Sequence, residues 1–272
     1  MRSSKPSCSL AVEFKLINEN ILIQNEKITQ VFVIQSEQDP LEWFGILFVD
    51  AGLYMGATVR FKILIDETYP DCGCPKVFFD PVPYHPLIEP ETGELDTKNA
   101  FPDWSSTTHR LFQLLIFVKR VIRDASFYIE QVSSLVKRLK TRQKNDNNNI
   151  RSSMLPNNLQ NLESEHTFNS LSDLFTWPGH TLDFLATYED NQDEFRLRVE
   201  VFKSKCCQQL YENSTFMGSD RNAHTLVFTD WNPDLHEPVR DCVLAGRFNP
   251  PSLFAAYHKE TDSVSFIPGD ED

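Results

Sequence analysis

The sequence predicts an α+β domain followed by an acidic helical extension, and three observations predict it. Four short β-rich runs succeed one another between residues 28 and 80, joined only by brief turns. Two strongly apolar helical stretches then occupy residues 109–140, after which the composition becomes polar. Consecutive strands with short connections favour an antiparallel meander, and helices segregated from the strands place the fold in the α+β class. The chain of 272 residues is 40% apolar with 21 Phe, enough for a substantial core, while only nine glycines argue against a Gly-lined cofactor fold.

The elements follow in order. SLAVEFKLINEN puts Leu10, Phe14 and Ile17 at helical spacing, the apolar stripe of an amphipathic first helix. ITQVFVIQ is rich in β-branched residues, and EWFGILFVD follows the Pro40-Leu41 turn. TVRFKILID alternates Val59, Phe61, Ile63 and Ile65 on one face, and PKVFFD follows the break at Pro75. After Trp104, SSTT offers N-caps for HRLFQLLIFVKRVIR, which is apolar around most of its circumference and so must be buried. FYIEQVSSLVKRLK carries Ile129, Val132, Leu135, Val136 and Leu139, the stripe of a half-exposed helix.

These elements define a core domain over 10–140, reaching about 178 if the following polar stretch is counted with it. Residues 141–180, Asn/Ser-rich, read as a flexible linker, and 181–272 as an acidic helical extension. Tyr188, Phe195, Val199, Phe202, Cys206 and Leu210 recur at intervals of three, four or seven, the narrow apolar seam of one long helix. Two readings of that seam stand: it folds back on the domain, or it docks a partner. A second short helix is bounded by Asn232-Pro233 and Gly246, with Leu235, Val239 and Val243 as its apolar face, and the terminal GDED reads as frayed.

The net charge of −13 is uneven, with 21 acidic against 11 basic residues after Lys140. Such a surface excludes direct nucleic-acid or anionic-membrane binding, both of which rely on basic residues. With no run of 18 apolar residues and no apolar stretch of signal-peptide type, the expectation is a cytoplasmic protein that does not insert into membranes. The six cysteines lack metal-type spacing, and Cys72-Gly73-Cys74 is too tight for a zinc knuckle, so neither metal nor cofactor is expected.

TYPDCGCPKVFFDPVPYHP resembles the strand, loop and His-Pro segment of ubiquitin-conjugating enzymes, with Tyr69-Pro70 and His85-Pro86 as signposts. LEWFG resembles that family's Trp-x-Gly strand start, Tyr54 and Gly56 its Tyr-x-Gly turn, and Trp104 the Trp before its buried helix. The resemblance covers Leu10 to Lys140 and implies the ubiquitin-conjugating fold. In that family a cysteine eight residues before the Trp accepts ubiquitin as a thioester. Counting back from Trp104 gives Asp96, and counting ten forward from His85 gives Leu95.

Neither position is a cysteine, and none lies between Cys74 and Cys206. A carboxylate at Asp96 is a poor substitute, because thioester chemistry needs a polarizable thiolate. Where the family follows His-Pro with an asparagine that stabilises the oxyanion, this chain has Leu87, which has no donor. Losing one such donor typically slows reaction about 100- to 1000-fold. His85-Pro86 reads as structural, Asp96 as a buried or capping carboxylate, and a relocated nucleophile at Cys72 or Cys74 as a foil.

The first helix sets Lys15 beside Glu13 and Glu19, where the family presents basic residues to the activating enzyme, and Ser105-Ser106 replaces the Pro-Ala pair that ligases read. LEWFGILFVDAGLY, HPLIEPETGELD, NAFPDW and VFTDWNPDLHEPVRDCVLAGR resemble the fused-toes/Akt-interacting family with the insect crossbronx proteins, conjugating-enzyme variants that lack the cysteine. That resemblance implies an adaptor with protein partners: Hook-type coiled-coil proteins or the Akt kinase, and ubiquitin bound non-covalently.

Overall fold

Helix α1 (Leu10–Glu26) starts at Ser9, whose hydroxyl accepts the N–H of Val12 at 3.4 Å. The computed structural model describes residues 9–36, 39–105, 107–149, 170–211, 228 and 230–245. Strands β1 (Val31–Gln35), β2 (Glu42–Phe48), β3 (Thr58–Leu64) and β4 (Lys76–Phe79) follow, hydrogen-bonded in that order and antiparallel throughout, as the short connections predict. Trp43, Gly45 and Leu47 stand opposite Ile63, Phe61 and Val59. A side chain at Gly45 would put its Cβ 2.2 Å from the buried Phe61 ring, so the glycine of LEWFG is the space that ring occupies.

Helix α2 (Leu111–Arg123) buries Leu111, Leu114, Leu115, Val118, Val121 and Ile122 against the sheet side of the core. Its N-terminus departs from expectation. The hydroxyls of Ser105, Thr107 and Thr108 bond within their own turn, and the helix begins three residues after Thr108, at Leu111, with Arg110 in the N-cap position. Glu19 of α1 provides the cap instead, accepting the Leu111 N–H at 2.9 Å, while Arg110 N–H donates to Gln113 Oε1 at 2.8 Å.

That contact also corrects the rotation of α1. Val12, Leu16 and Glu19 face inward, and Leu10, Phe14 and Ile17, with Ile21, face water. Leu10 is 73% exposed. Apolar residues lie on both sides of this helix, so periodicity alone does not choose between them; Glu19 has to reach α2, and this fixes the inward side.

Helix α3 (Ala125–Asn149) buries Ile129, Val132, Val136 and Leu139 and continues nine residues past the expected boundary at Lys140. Extending an existing helix adds a hydrogen bond for each residue ordered, so a polar sequence does not end it. The expected linker 141–180 is further shortened by α4 (Leu171–Leu174) and the start of α5 (Pro178–Asp190). Its middle, residues 150–169, lies outside the described residues.

The single long helix expected across Tyr188 to Leu210 is two. Helix α6 (Gln192–Gln208) begins after Asn191, whose side chain accepts the Glu194 N–H at 3.1 Å, and a 3₁₀ turn (Gln209–Tyr211) follows. Asn191 is an effective N-cap, which ends one helix and starts the next. Helices α4, α5 and α6 belong to the same compact unit as the sheet, residues 1–227.

Residues 228–272 form a second unit. Within it α7 (Pro233–Leu244) has Pro233 at its start, as expected, and leaves Leu235 and Val239 exposed. Trp231 packs on His236, ring centroids 5.1 Å apart. Gly246, the side chain of Val243 and the terminal GDED lie outside the described residues.

Candidate functional site

Between β4 and α2 the chain folds into a narrow tongue that sets residue 87 beside residue 96. Ile88 and Leu95 form an antiparallel bridge, and the Asp96 N–H donates to the Leu87 carbonyl at 2.7 Å. The tip turns at Gly93, which has φ +75° and where a Cβ would lie 2.5 Å from the Phe79 carbonyl oxygen; only glycine fits there. Leu95 reaches the core and its N–H donates to Val77 at 2.8 Å, whereas Asp96 stands at the margin, 6% exposed. The two counts along the sequence thus end on neighbours with different surroundings.

His85 is completely buried, and its Nδ1 accepts the Leu87 N–H at 3.2 Å. That bond places the ring proton on Nε2, which has no hydrogen-bond partner among the described residues. Burial, helped by the nearby His180, pushes the His85 pKa down to about 3, so the ring is neutral. Pro86 and Leu87 complete the buried edge of the tongue. Of the other signposts, Tyr69 and Pro70 lie in the core, and Trp104 is half-buried, stacked on His109 at 5.3 Å with Phe101 against its edge.

Five residues of the tongue exchange hydrogen bonds with one segment, Ser170–Thr181, at the C-terminal end of the expected linker, near where order was expected to return. The Asp96 carboxylate accepts the Thr176 N–H at 2.7 Å and the Thr176 hydroxyl at 2.9 Å, besides the Lys98 N–H at 3.0 Å. Asn99 donates to the Leu174 carbonyl at 2.6 Å, and Lys98 Nζ to that of Ser172. On the opposite side His180 Nε2 meets the His85 carbonyl at 3.1 Å, and the Thr181 hydroxyl donates to that of Pro86 at 3.2 Å. Leu174 and Phe175 are buried in the common core.

Sequence reasoning missed Thr176, His180 and Thr181. The available signals were the capping box of Ser170 with Asp173, Pro178 at a helix start, and the apolar Leu174-Phe175 pair inside a polar run.

The seam is occupied from within the chain. Phe195, Val199 and Phe202 are buried, with the Phe202 ring 5.2 Å from Tyr54 and the Phe195 ring 6.0 Å from Tyr84. Tyr188 lies against Phe195 at 5.0 Å, and the Leu210 carbonyl accepts Arg60 Nη2 at 2.7 Å. Phe195, Val199 and Phe202 therefore belong to the protein's own core, and Tyr188 and Leu210 are half-buried at its edge. The side of α6 that meets water carries Leu197 and Val201 instead. Likewise Glu19, expected beside Lys15 on the surface of α1, points into the protein.

Chemically, the Asp96 carboxylate is a hydrogen-bond acceptor engaged by three donors. Cys72 and Cys74 border a cavity of about 310 Å³ between β3 and β4, and the Cys74 thiol meets the side chain of Thr97, the residue after Asp96. Burial raises both thiols, Cys74 to about 12, so neither is poised as a thiolate. Among the described residues no three His, Cys, Asp or Glu side chains group as metal ligands, and no helix is long and apolar enough to cross a membrane.

Comparison with known proteins agrees with this architecture. The family model described as ubiquitin-conjugating enzyme matches residues 15–154. An AKT-interacting protein of Xenopus tropicalis is 26% identical over 234 residues, 86% of this chain and 62% of that protein. The AKT-interacting protein of Homo sapiens is 37% identical over 110 residues, 40% of this chain and 38% of that protein. The chain thus spans about three fifths of the length of the first of these relatives.

A solved ubiquitin-conjugating enzyme domain from Toxoplasma gondii aligns over 71% of this chain and 97% of its own, with 15% identity and a TM-score of 0.43. The relatives bear the name of the variant branch that the motifs resemble. With the family match covering half of its length, the chain belongs to the ubiquitin-conjugating enzyme family.

Proposed function

We propose that this chain is a catalytically inactive member of its family, working as a cytoplasmic protein-interaction adaptor in vesicle trafficking or signalling. The observation that carries this reading is the pair Leu95 and Asp96: neither position counted for the nucleophile holds a cysteine, one is an apolar side chain and the other a carboxylate held by three hydrogen bonds, next to an apolar Leu87 with no oxyanion donor. Relatives named AKT-interacting protein support a kinase as one partner, and the resemblance supports Hook-type coiled-coil proteins as another. The test is incubation of the full chain with ubiquitin, activating enzyme and ATP. No reductant-sensitive ubiquitin adduct is expected, and its appearance would overturn the inactive assignment. Capture of neither an Akt kinase nor a Hook protein by the full chain would remove the adaptor role with those partners.

A second reading, a non-catalytic cofactor that binds ubiquitin or an active conjugating enzyme, draws on the edge-to-face pair Phe32 and Phe48, both exposed on the sheet. Titration of labelled ubiquitin without chemical-shift change, together with no stimulation of chain formation, would discard it.

A further inference from the structure

The tongue and the segment over it make one hydrogen-bonded assembly, and its geometry assigns Asp96 a role that is not chemical. We propose that Ser170–Thr181 is a strap built over the face that bears Leu87 and Asp96, and that Asp96 is its latch. The strap closes that face against any partner that would reach residue 96.

The bonds divide into two groups on the two edges of the tongue. On one edge Asp96, Lys98 and Asn99 engage Ser172, Leu174 and Thr176; on the other the carbonyls of His85 and Pro86 engage His180 and Thr181. The strap therefore spans from edge to edge. Most of these contacts involve backbone carbonyls, which any sequence would offer. Asp96 differs, because its carboxylate takes both the amide and the hydroxyl of Thr176, and bonds to a charged acceptor are the strong ones. A cysteine here would accept neither bond well, so it is the carboxylate that holds the cover.

Thr176 is exposed although its two donors are engaged, so the contact can be altered without disturbing the core. Hydrogen exchange on the full chain tests the proposal by following peptide 170–181 against a reference peptide from α2, residues 111–123. In Asp96→Asn only one oxygen remains to accept, and in Thr176→Val the hydroxyl is gone. Thr176→Glu sets a second carboxylate against the first. Each is expected to speed exchange of the strap, with residues 85–99 following, by about tenfold or more in the asparagine and glutamate variants, while α2 is unchanged.

Unchanged strap exchange in all three variants would overturn the latch. Equal acceleration of the strap and α2 would also overturn it, since the segment would then open only with the whole protein. Should Asp96→Asn fail to fold, the two Thr176 variants decide the matter alone.

Discussion

Glu19 and Leu111 lie 92 residues apart in sequence, yet the carboxylate of the first accepts the amide of the second at 2.9 Å, inside the protein. One side chain thereby closes the N-terminus of the most buried helix and fixes which side of α1 faces inward. Glu19→Ala leaves that amide without a partner in a buried site, and a loss of about 2 kcal/mol is expected. Glu19→Gln keeps an acceptor and is expected to lose less. Denaturant unfolding of the two variants against the parent measures both, and an alanine variant as stable as the parent would contradict the cap.

The buried histidine makes stability depend on pH. The His85 pKa in the folded protein, about 3, lies below its ordinary value of about 6.5. Below pH 6.5 the unfolded chain takes up a proton that the folded chain refuses. The contribution is therefore complete above pH 6.5 and is lost progressively as the pH falls toward 3, at about 1.4 kcal/mol per unit. Asp50, Asp66, Glu89 and Glu189, with carboxyls held below their usual range by hydrogen bonds, respond only at lower pH. Between pH 7.5 and 5 the parent is expected to lose about 1.5–2 kcal/mol more than His85→Gln. Parallel curves for the two proteins would refute it.

Thiol reactivity should separate two adjacent cysteines. Cys207 is exposed, whereas Cys206 is buried and its pKa is pushed up to about 12, first by burial. At pH 8 the thiolate fraction of Cys206 is on the order of one in ten thousand. Brief alkylation of the native chain, read by peptide mass spectrometry, is expected to mark Cys207 and spare both Cys206 and Cys74. Rapid marking of Cys74 would reopen the question of a nucleophile near the sheet.

What the sequence disclosed depended on how strongly each segment's pattern excluded alternatives. The alternation of Val59, Phe61 and Ile63 admits one inward face, and α2 is so apolar that it has nowhere to go but inside. Helix α1 offers apolar residues on two sides, and the decision rests on a bond to an amide 92 residues away, which no local pattern contains. The strap was illegible for a similar reason. Leu174 and Phe175 sit in a polar run, and their burial is determined by the tongue they meet. The residues at 87 and 96 were legible as departures; what Asp96 binds was not.

The seam of α6 gives the fourth prediction. Phe202, 2% exposed and edge-on to Tyr54, is a core residue, and Phe202→Ala is expected to cost about 3–5 kcal/mol. Leu197→Ala, on the exposed side of the same helix, is expected to change stability by less than about 0.5 kcal/mol. Thermal unfolding of both variants checks the contrast, and similar midpoints would show that α6 is not part of the core.

The placement of α6 over Tyr54 and Tyr84 also bears on how the protein is made. About 110 residues separate Tyr84 from Phe195, so at ribosomal speeds of about 5–20 residues per second the aromatic surface precedes its cover by roughly 5–20 s. During that interval the nascent chain carries a sheet whose companion helix does not yet exist. Until the second half is synthesised, the first half exposes apolar surface of the kind that invites aggregation.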